Sequence, residues 1–345
     1  MQLEQIPSRY EGFRKEYPDL CLCRVASQEK GLYRLIGPEG EWQARVSGKF
    51  QYEVRTVSDY PAAGDYVMAA LSGDGAAVIQ AVLPRKSVFL RKAAGTTKSE
   101  QVVAANIDTV FLCMALNNDF NLRRLERYLA AAWDSGAVPV VLLTKADLCR
   151  NLAEKTAQAQ SVAAGVEILA VSTVEQNGLR ALSPLLAAGR TLAFVGSSGV
   201  GKSTLINALL GEDRLKTNGL RNDDRGRHTT TRRELLLLPG GAVVIDTPGM
   251  REIGMWDAGE GLSAAFADIE ALASQCRFRD CTHSAEPCCA VRAALERGEL
   301  SESRLRSYEK LRTENAWFQD AEGCLAAKEE KFKRIAKINR ARHKK

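Results

Sequence analysis

Short stretches in which polar and apolar residues alternate fill the first part of the chain. Turns at Gly37–Gly40 and Ser72–Gly75 separate them, and their content of Val, Ile, Leu and Tyr is typical of strands. The predicted strands are Leu20–Ala26, Leu32–Ile36, Trp42–Val46, Tyr66–Leu71 and Ala76–Leu83. Five short strands in about 70 residues predict a small closed β-barrel, of which the oligonucleotide-binding barrel is the obvious type. Strand count alone also fits any other small β-domain.

Beyond about residue 105 the pattern changes to apolar strands that alternate with amphipathic helices. Residues 86–105, which lie before it, are polar and basic and are predicted to be a linker. The predicted elements are Thr109–Ala115, Asn121–Trp133, Val138–Thr144, Glu167–Ser172, Leu192–Val195, Ser203–Leu210 and Ala242–Ile245. This alternation predicts a mostly parallel sheet covered by helices, with ligands at the carboxyl ends of the strands. From about residue 260 the chain is charged and predicted to be helical.

Composition narrows the class of protein. The 345 residues are 45% hydrophobic and 26% charged, and no apolar run approaches the roughly 20 residues that a membrane helix needs. The N-terminus has no apolar leader with a small-residue cleavage site, so we expect a cytoplasmic protein. We also expect a monomer, and no membrane binding because the basic tail 328–345 lacks a broad apolar face. In such a protein the nine Cys do not predict disulfides.

Basic residues are concentrated at the C-terminal end. Residues 328–345 contain nine Lys and Arg against two Glu, so this tail carries +7 while the net charge of the chain is +6. A basic tail on a nearly neutral body indicates a polyanionic partner, with RNA first. A solvated terminus that serves solubility would have the same composition.

A glycine-rich loop joins a predicted strand to a predicted helix. Residues 196–203 have the spacing Gly-x-x-x-x-Gly-Lys-Ser, which is typical of a phosphate-binding loop. Its backbone N–H groups are expected to face a β-phosphate, Lys202 to reach the β and γ oxygens, and Ser203 to ligate Mg²⁺. About 43 residues later, Asp-Thr-Pro-Gly begins at Asp246. The Asp246 carboxylate is expected to hold Mg²⁺ through water, and the Gly249 N–H to meet the γ-phosphate.

The basic stretch 225–231 lies between these two motifs. We expect Thr230, ahead of Thr229, to complete the Mg²⁺ shell. Met250 stands where a small GTPase would place its water-orienting Gln, so His228 is the nearest candidate in sequence for positioning water. Two alternatives stay open: His228 contacts only phosphate or RNA, or an arginine of the same stretch stabilises the developing charge.

The strand that ends at Thr144 leads into Thr-Lys-Ala-Asp, which resembles a guanine-reading loop. The carboxylate of Asp147 can accept from N1–H and the N2 amino group of guanine, a pair of donors that adenine lacks. Thr144 replaces the bridging amide of most GTPases by a shorter hydroxyl, which could loosen the loop or the affinity without changing the base that is read. The residues predicted to bind GTP are Thr144, Lys145, Ala146, Asp147, Ser172, Thr173, Gly196, Ser197, Ser198, Gly199, Val200, Gly201, Lys202, Ser203, Thr204 and Gly249. The base-reading loop precedes the phosphate loop, the reverse of ordinary GTPases, so the sheet is predicted to be circularly permuted.

Four metal-ligating side chains lie within fourteen residues, in the spacing Cys276-x4-Cys281-x-His283-x5-Cys289. Three thiolates and one imidazole make a closed tetrahedral Zn²⁺ site, which indicates a structural role. Cys288 is a fifth candidate beside Cys289, and buried or redox-active cysteines are the alternative.

In this order the motifs resemble those of the circularly permuted, ribosome small-subunit-dependent GTPase A (RsgA) family. The similarity extends beyond the motifs to Gly64–Val67, Ala104–Asp108 and Arg124–Leu129. It implies an oligonucleotide-binding barrel over residues 1–90, a permuted GTPase domain over 91–259 and a mostly helical zinc domain over 260–345. It also implies binding to the small ribosomal subunit and its rRNA late in assembly, with GTP hydrolysis stimulated by that subunit.

Carried onto this chain, the resemblance implies a catalytic role for His228, and zinc ligation by the four residues of the Cys/His cluster. It places Gly before the last zinc ligand, where this chain has Cys288. The alternative function is an rRNA-binding module in which the GTPase is vestigial or only senses nucleotide. A third possibility is a GTPase that handles metal through the cysteine cluster.

Overall fold

The computed structural model describes most of the chain, namely residues 7–29, 31–92, 100–117, 119–175, 178–215, 233–246 and 259–319. The chain forms two compact units, Met1–Gly254 and Met255–Lys345, which are described separately. The predicted domain bounds at 90/91 and 259/260 stay predictions.

A closed barrel forms the first part of the larger unit. Its elements are α1 (Glu11–Glu16), β1 (Cys21–Glu29), β2 (Leu32–Gly37), β3 (Gly40–Val46), α2 (Gly48–Glu53), β4 (Tyr66–Leu71) and β5 (Ala76–Val82). The strand order is β1-β2-β3-β5-β4, and β4 pairs back onto β1 to close the barrel. Val25, Leu35, Val67 and Ile79 are buried inside it, because alternate residues of each strand face inward. The predicted five-stranded barrel is confirmed.

The predicted linker is instead a hairpin. β6 (Val88–Lys92) pairs antiparallel with β7 (Glu100–Ala105). Phe89, Val102 and Val103 are buried, so the hairpin is packed against the rest of the unit through apolar side chains. The basic stretch 91–98, which begins within β6, gave the sequence its linker-like composition.

The rest of the larger unit is a helix-covered sheet. Its elements are β8 (Thr109–Ala115), α3 (Leu122–Asp134), β9 (Val138–Thr144), α4 (Leu152–Gln160), β10 (Glu167–Ala170), β11 (Thr191–Val195), α5 (Lys202–Leu210), β12 (Arg233–Leu237) and β13 (Val243–Asp246). The strand order is β10-β9-β8-β11-β13-β12, parallel except for the β12–β13 pair. Phe111 and Phe194 pack in its core with ring centroids 4.9 Å apart. The predicted permuted α/β fold is confirmed.

The barrel is joined to this sheet by backbone pairing and by buried polar contacts. β1 pairs antiparallel with β12. The guanidinium of Arg24 donates to the Thr191 hydroxyl at 2.6 Å, at the start of β11. Gly64 (φ +95°) packs so closely on the hairpin that an added Cβ would lie 2.2 Å from the Ala105 carbonyl oxygen. Next to it, the buried Asn106 side chain donates to the Gly64 carbonyl and accepts from the Tyr10 hydroxyl. These contacts fix the barrel against the helix-covered sheet.

The smaller unit is mostly helical, as predicted. Its helices are α6 (Gly259–Ala265), α7 (Ala267–Ala273), α8 (Ala290–Glu296) and α9 (Glu302–Gln319). Arg304 on α9 is buried and donates to both carboxylate oxygens of Asp268, at 2.7 and 2.8 Å, and to the Ala265 carbonyl. This bidentate pair ties α9 to the start of α7. Among the described residues, no helix is both long and apolar enough to cross a membrane.

Candidate nucleotide and metal sites

The glycine-rich loop lies where the central strand β11 passes into α5. β11 is fully buried between β8 and β13, and α5 begins at Lys202. Gly196 (φ +156°) lies against β8, where an added Cβ would come within 2.6 Å of the Cys113 carbonyl oxygen. The ammonium group of Lys202 donates to the carbonyls of Gly196 and Ser197 at 2.5 and 2.7 Å. The loop therefore has the form of a phosphate cradle at the N-terminus of a helix.

A carboxylate that sequence reasoning missed supports this loop from the side. Asp119 follows β8 and accepts a 2.5 Å hydrogen bond from the Ser197 hydroxyl. Arg124 on α3 donates to both oxygens of Asp119, at 2.8 and 2.9 Å. Burial opposes ionisation of Asp119, but the bonds from Ser197 and Arg124 outweigh it and hold the pKa of this carboxyl below its usual range. The only sequence signal was the placement of Asp119 after a buried strand, where such sheets bind ligands.

The base-reading loop is hydrogen-bonded directly to the phosphate loop. The buried hydroxyl of Thr144 donates to the Val200 carbonyl at 2.7 Å, and the Lys145 ammonium donates to the Gly199 carbonyl at 2.9 Å. Thr144 thus connects the two loops, although it is shorter than the amide of most GTPases. Lys145 adopts a left-handed conformation (φ +60°), which turns the chain sharply after β9.

The second predicted base-contacting loop orients Asp147. The Ser172 hydroxyl, which is buried, donates to an Asp147 carboxylate oxygen at 2.7 Å. Its oxygen also accepts from the backbone N–H of Val174. The neighbouring Thr173 is exposed. Ser172 therefore fixes the direction of the carboxylate that is predicted to read guanine.

Of the predicted magnesium residues, Ser203 and Asp246 lie in the described parts of the chain. Asp246 ends β13, which runs parallel to β11 with Ile245 paired to Ala193. Its position at the carboxyl end of the neighbouring strand brings it to the edge of the sheet where the phosphate loop begins. His228, Thr230 and Gly249 lie outside the described residues.

The four predicted zinc ligands come together in the smaller unit. The ligand atoms of Cys276, Cys281, His283 and Cys289 all lie within 4.8 Å of one another. Cys276 and Cys289 have their sulfurs 3.9 Å apart, and the His283 Nδ1 is 3.7 and 3.5 Å from them. With Zn–S about 2.3 Å and Zn–N about 2.0 Å, a tetrahedral shell requires separations of about 3.8 Å and 3.5 Å respectively. The cluster is therefore compatible with one zinc ion.

The geometry distinguishes the two adjacent cysteines. Cys289 is buried in the cluster and its sulfur accepts from the Arg292 N–H at the start of α8. Cys288 is exposed and has a left-handed backbone (φ +59°). A left-handed backbone favours glycine, which explains why the family resemblance implies Gly at this position. Cys288 adopts the same conformation at a cost in backbone strain.

A carboxylate closes the loop between the ligands His283 and Cys289. Glu286 accepts from the Thr282 hydroxyl and backbone N–H, and from the N–H groups of Ser284 and Ala285. The Thr282 hydroxyl and these N–H groups lower the pKa of Glu286 to about 2. Burial of the Cys276 thiol opposes its ionisation, but the backbone N–H groups of Ala290 and Val291 lower its pKa. The backbone N–H groups thus favour a thiolate at Cys276, whereas burial raises the pKa of the Cys281 thiol to about 11.

Together, the permuted sheet and the joined base and phosphate loops define a circularly permuted P-loop GTPase. A family model described as RsgA GTPase matches residues 82–256. "Small ribosomal subunit biogenesis GTPase RsgA 2" of Lactiplantibacillus plantarum is 52% identical over 297 residues, which cover 86% of this chain and 84% of that protein. "Small ribosomal subunit biogenesis GTPase RsgA" of Opitutus terrae is 46% identical, covering 93% of this chain and 91% of that protein.

Solved structures agree with these sequence relatives. The crystal structure of YjeQ from Thermotoga maritima matches with a TM-score of 0.65 at 27% identity, covering 86% of this chain and 99% of that one. YloQ, described as a circularly permuted GTPase, matches with a TM-score of 0.62 at 27% identity, covering 86% of this chain and 95% of that one. The chain belongs to the RsgA GTPase family, and GTP hydrolysis is its activity.

Proposed function

We propose that this protein hydrolyses GTP as an assembly factor of the small ribosomal subunit, in the cytoplasm and as a monomer. The observation that carries the proposal is the match, over most of both chains, to relatives named for small ribosomal subunit biogenesis. The basic tail 328–345 supports an rRNA partner. The vestigial-GTPase alternative is not favoured, because the phosphate loop keeps its Lys and Ser and is bonded to the base-reading loop.

We assign the chemistry of the nucleotide site as follows. Asp147, oriented by Ser172, reads guanine, and Lys145 lies along the base. The backbone of residues 196–204 and the Lys202 ammonium hold the phosphates, which requires Lys202 to exchange its carbonyl partners for phosphate oxygens. Bound Mg²⁺ would neutralise charge on the β- and γ-phosphates. We propose that Ser203 and Asp246 would hold it, which the position of Asp246 at the carboxyl end of β13 supports.

Roles on the stretches outside the described residues rest on sequence motif. We propose Thr230 as a further magnesium ligand, Gly249 as a γ-phosphate contact and His228 as the group that positions water. Alternatively, an arginine of 225–231 stabilises the charge that develops on the phosphate oxygens. A His228→Ala variant that hydrolyses GTP at the wild-type rate would favour the arginine.

We propose one structural zinc ion in the smaller unit, held by Cys276, Cys281, His283 and Cys289. The separations of the ligand atoms support it. Tight retention of one zinc per chain through purification would argue against the metal-handling alternative, since a carrier must release its metal. We further propose domains over 1–90, 91–259 and 260–345.

The decisive experiment measures GTP hydrolysis by the purified protein alone and with small subunits, large subunits or intact ribosomes. We expect strong stimulation by the small subunit only. Lys202→Ala in the presence of small subunits is the matched control for a reaction at this site, because Lys202 is assigned to hold the phosphates whichever residue positions water. Equal rates in all four conditions would refute the ribosomal target and leave the GTPase assignment standing.

A further inference from the structure

Three residues from three neighbouring strands lie side by side where the barrel meets the nucleotide-binding sheet. Ser27 on β1 pairs with Glu234 on β12. Glu234 in turn pairs with Asp246 on β13, the proposed magnesium residue. Directly paired residues of antiparallel strands project to the same face with their Cβ atoms about 5 Å apart, so Glu234 and Asp246 present two carboxylates on one face. Two like charges in this position repel each other and require compensation.

Two arginines supply the compensation, and one of them comes from the barrel. Arg34 on β2 donates to a Glu234 carboxylate oxygen at 2.6 Å, and Arg214, which follows α5, donates to the same oxygen at 3.3 Å. The side chains of Arg34 and Glu234 are only 26% and 29% exposed, so water screens this pair less than an exposed one. Arg34 also holds Glu41 on β3 at 2.8 Å, within the barrel.

The same cluster joins two points that are distant in sequence. Arg214 lies just before residues 216–232, and Glu234 lies just after them. That stretch carries His228 and Thr230. The Arg214–Glu234 contact therefore links a residue before this stretch to a residue after it, and Arg34 on β2 donates to the same Glu234 oxygen.

We propose that Arg34 is a positioning residue for GTP hydrolysis, through its ion pair with Glu234 on the strand beside Asp246. The barrel thereby contributes to the reaction without touching the nucleotide. Loss of the pair lets the start of β12 shift relative to β13, which disturbs the transition state more than nucleotide binding. This inference rests on the proposed role of Asp246.

The test compares single-turnover GTP hydrolysis and GDP affinity in full-length Arg34→Gln, Glu234→Gln and the double variant. We expect each single variant to hydrolyse GTP about five- to tenfold more slowly, with GDP affinity within about twofold of wild type. The double variant should be no slower than the slower single variant, because both changes remove one interaction. Glu41→Gln is the matched control: it removes the other partner of Arg34 and should retain the wild-type rate.

A rate within about twofold of wild type in Arg34→Gln, additive losses in the double variant, or an equal loss in Glu41→Gln would overturn the inference. Arg34→Lys guards against a folding defect, since it keeps the charge and should recover most of the rate. Asp246→Asn separates the two proposals. Unimpaired hydrolysis in that variant would refute the magnesium role, whereas a loss there with none in Arg34→Gln would refute only the positioning role.

Discussion

The hydroxyl of Thr144 offers a sharp test of how the base-reading and phosphate loops are joined. Thr144→Val keeps the shape of the side chain but removes the 2.7 Å bond to the Val200 carbonyl. Because this contact is buried, losing a neutral hydrogen bond and leaving its acceptor without this donor costs about 1–3 kcal/mol. If half of this, about 0.5–1.5 kcal/mol, appears as loss of register between the loops, nucleotide affinity falls by roughly two- to twelvefold, or about fivefold at the midpoint.

The assay is titration of a fluorescent GDP and a fluorescent, non-hydrolysable GTP analogue, with thermal unfolding of each variant. Both affinities should fall by the same factor, because the contact lies between loops and away from the γ-phosphate. Thr144→Ser is the matched control, since it keeps the hydroxyl and should bind within about twofold of wild type. If Thr144→Val bound both nucleotides normally, or lost only the GTP analogue, the reasoning would be wrong.

Asp147→Asn should relax the preference for GTP over ATP. Ser172→Ala should lower the affinity for guanine nucleotides about tenfold without that relaxation, because it removes only the hydrogen bond that orients the carboxylate. Competition binding with GTP and ATP distinguishes the two outcomes. Cys288→Gly should keep one zinc and unfold at the same or a higher temperature, because it relieves about 1 kcal/mol of strain in the left-handed backbone. Cys289→Ser should lose the metal. Zinc content and thermal unfolding of both variants test these predictions. Above the ordinary Glu pKa of about 4.3, the free energy of unfolding of wild type should exceed that of Glu286→Gln by a constant difference. That difference should shrink as pH falls toward the folded-state pKa of about 2. A difference independent of pH throughout would contradict the role of the carboxylate.

The local sequence pattern was sufficient to predict those elements whose conformation depends on residues close in sequence. The barrel strands, the buried strands of the sheet and the phosphate loop each have a periodicity or spacing that only a few conformations satisfy. The hairpin of β6 and β7 was missed because basic residues in its middle hide the buried Phe89 and Val102. The Cys/His spacing indicated a zinc site with Cys289 as the expected fourth ligand, and the structure adds that Cys289 is buried in the cluster whereas Cys288 is exposed in a left-handed turn.

The sequence by itself therefore determined the class of fold, the order of the motifs and the chemistry that each motif can perform. Only the tertiary structure decided which side chains support those motifs. Asp119 beside the phosphate loop and Arg34 beside β12 are charged residues that no sequence motif includes. They lie 78 and 200 residues from the Ser197 and Glu234 that they contact. Such contacts depend on strand order and register, which place distant residues side by side and which no local pattern encodes.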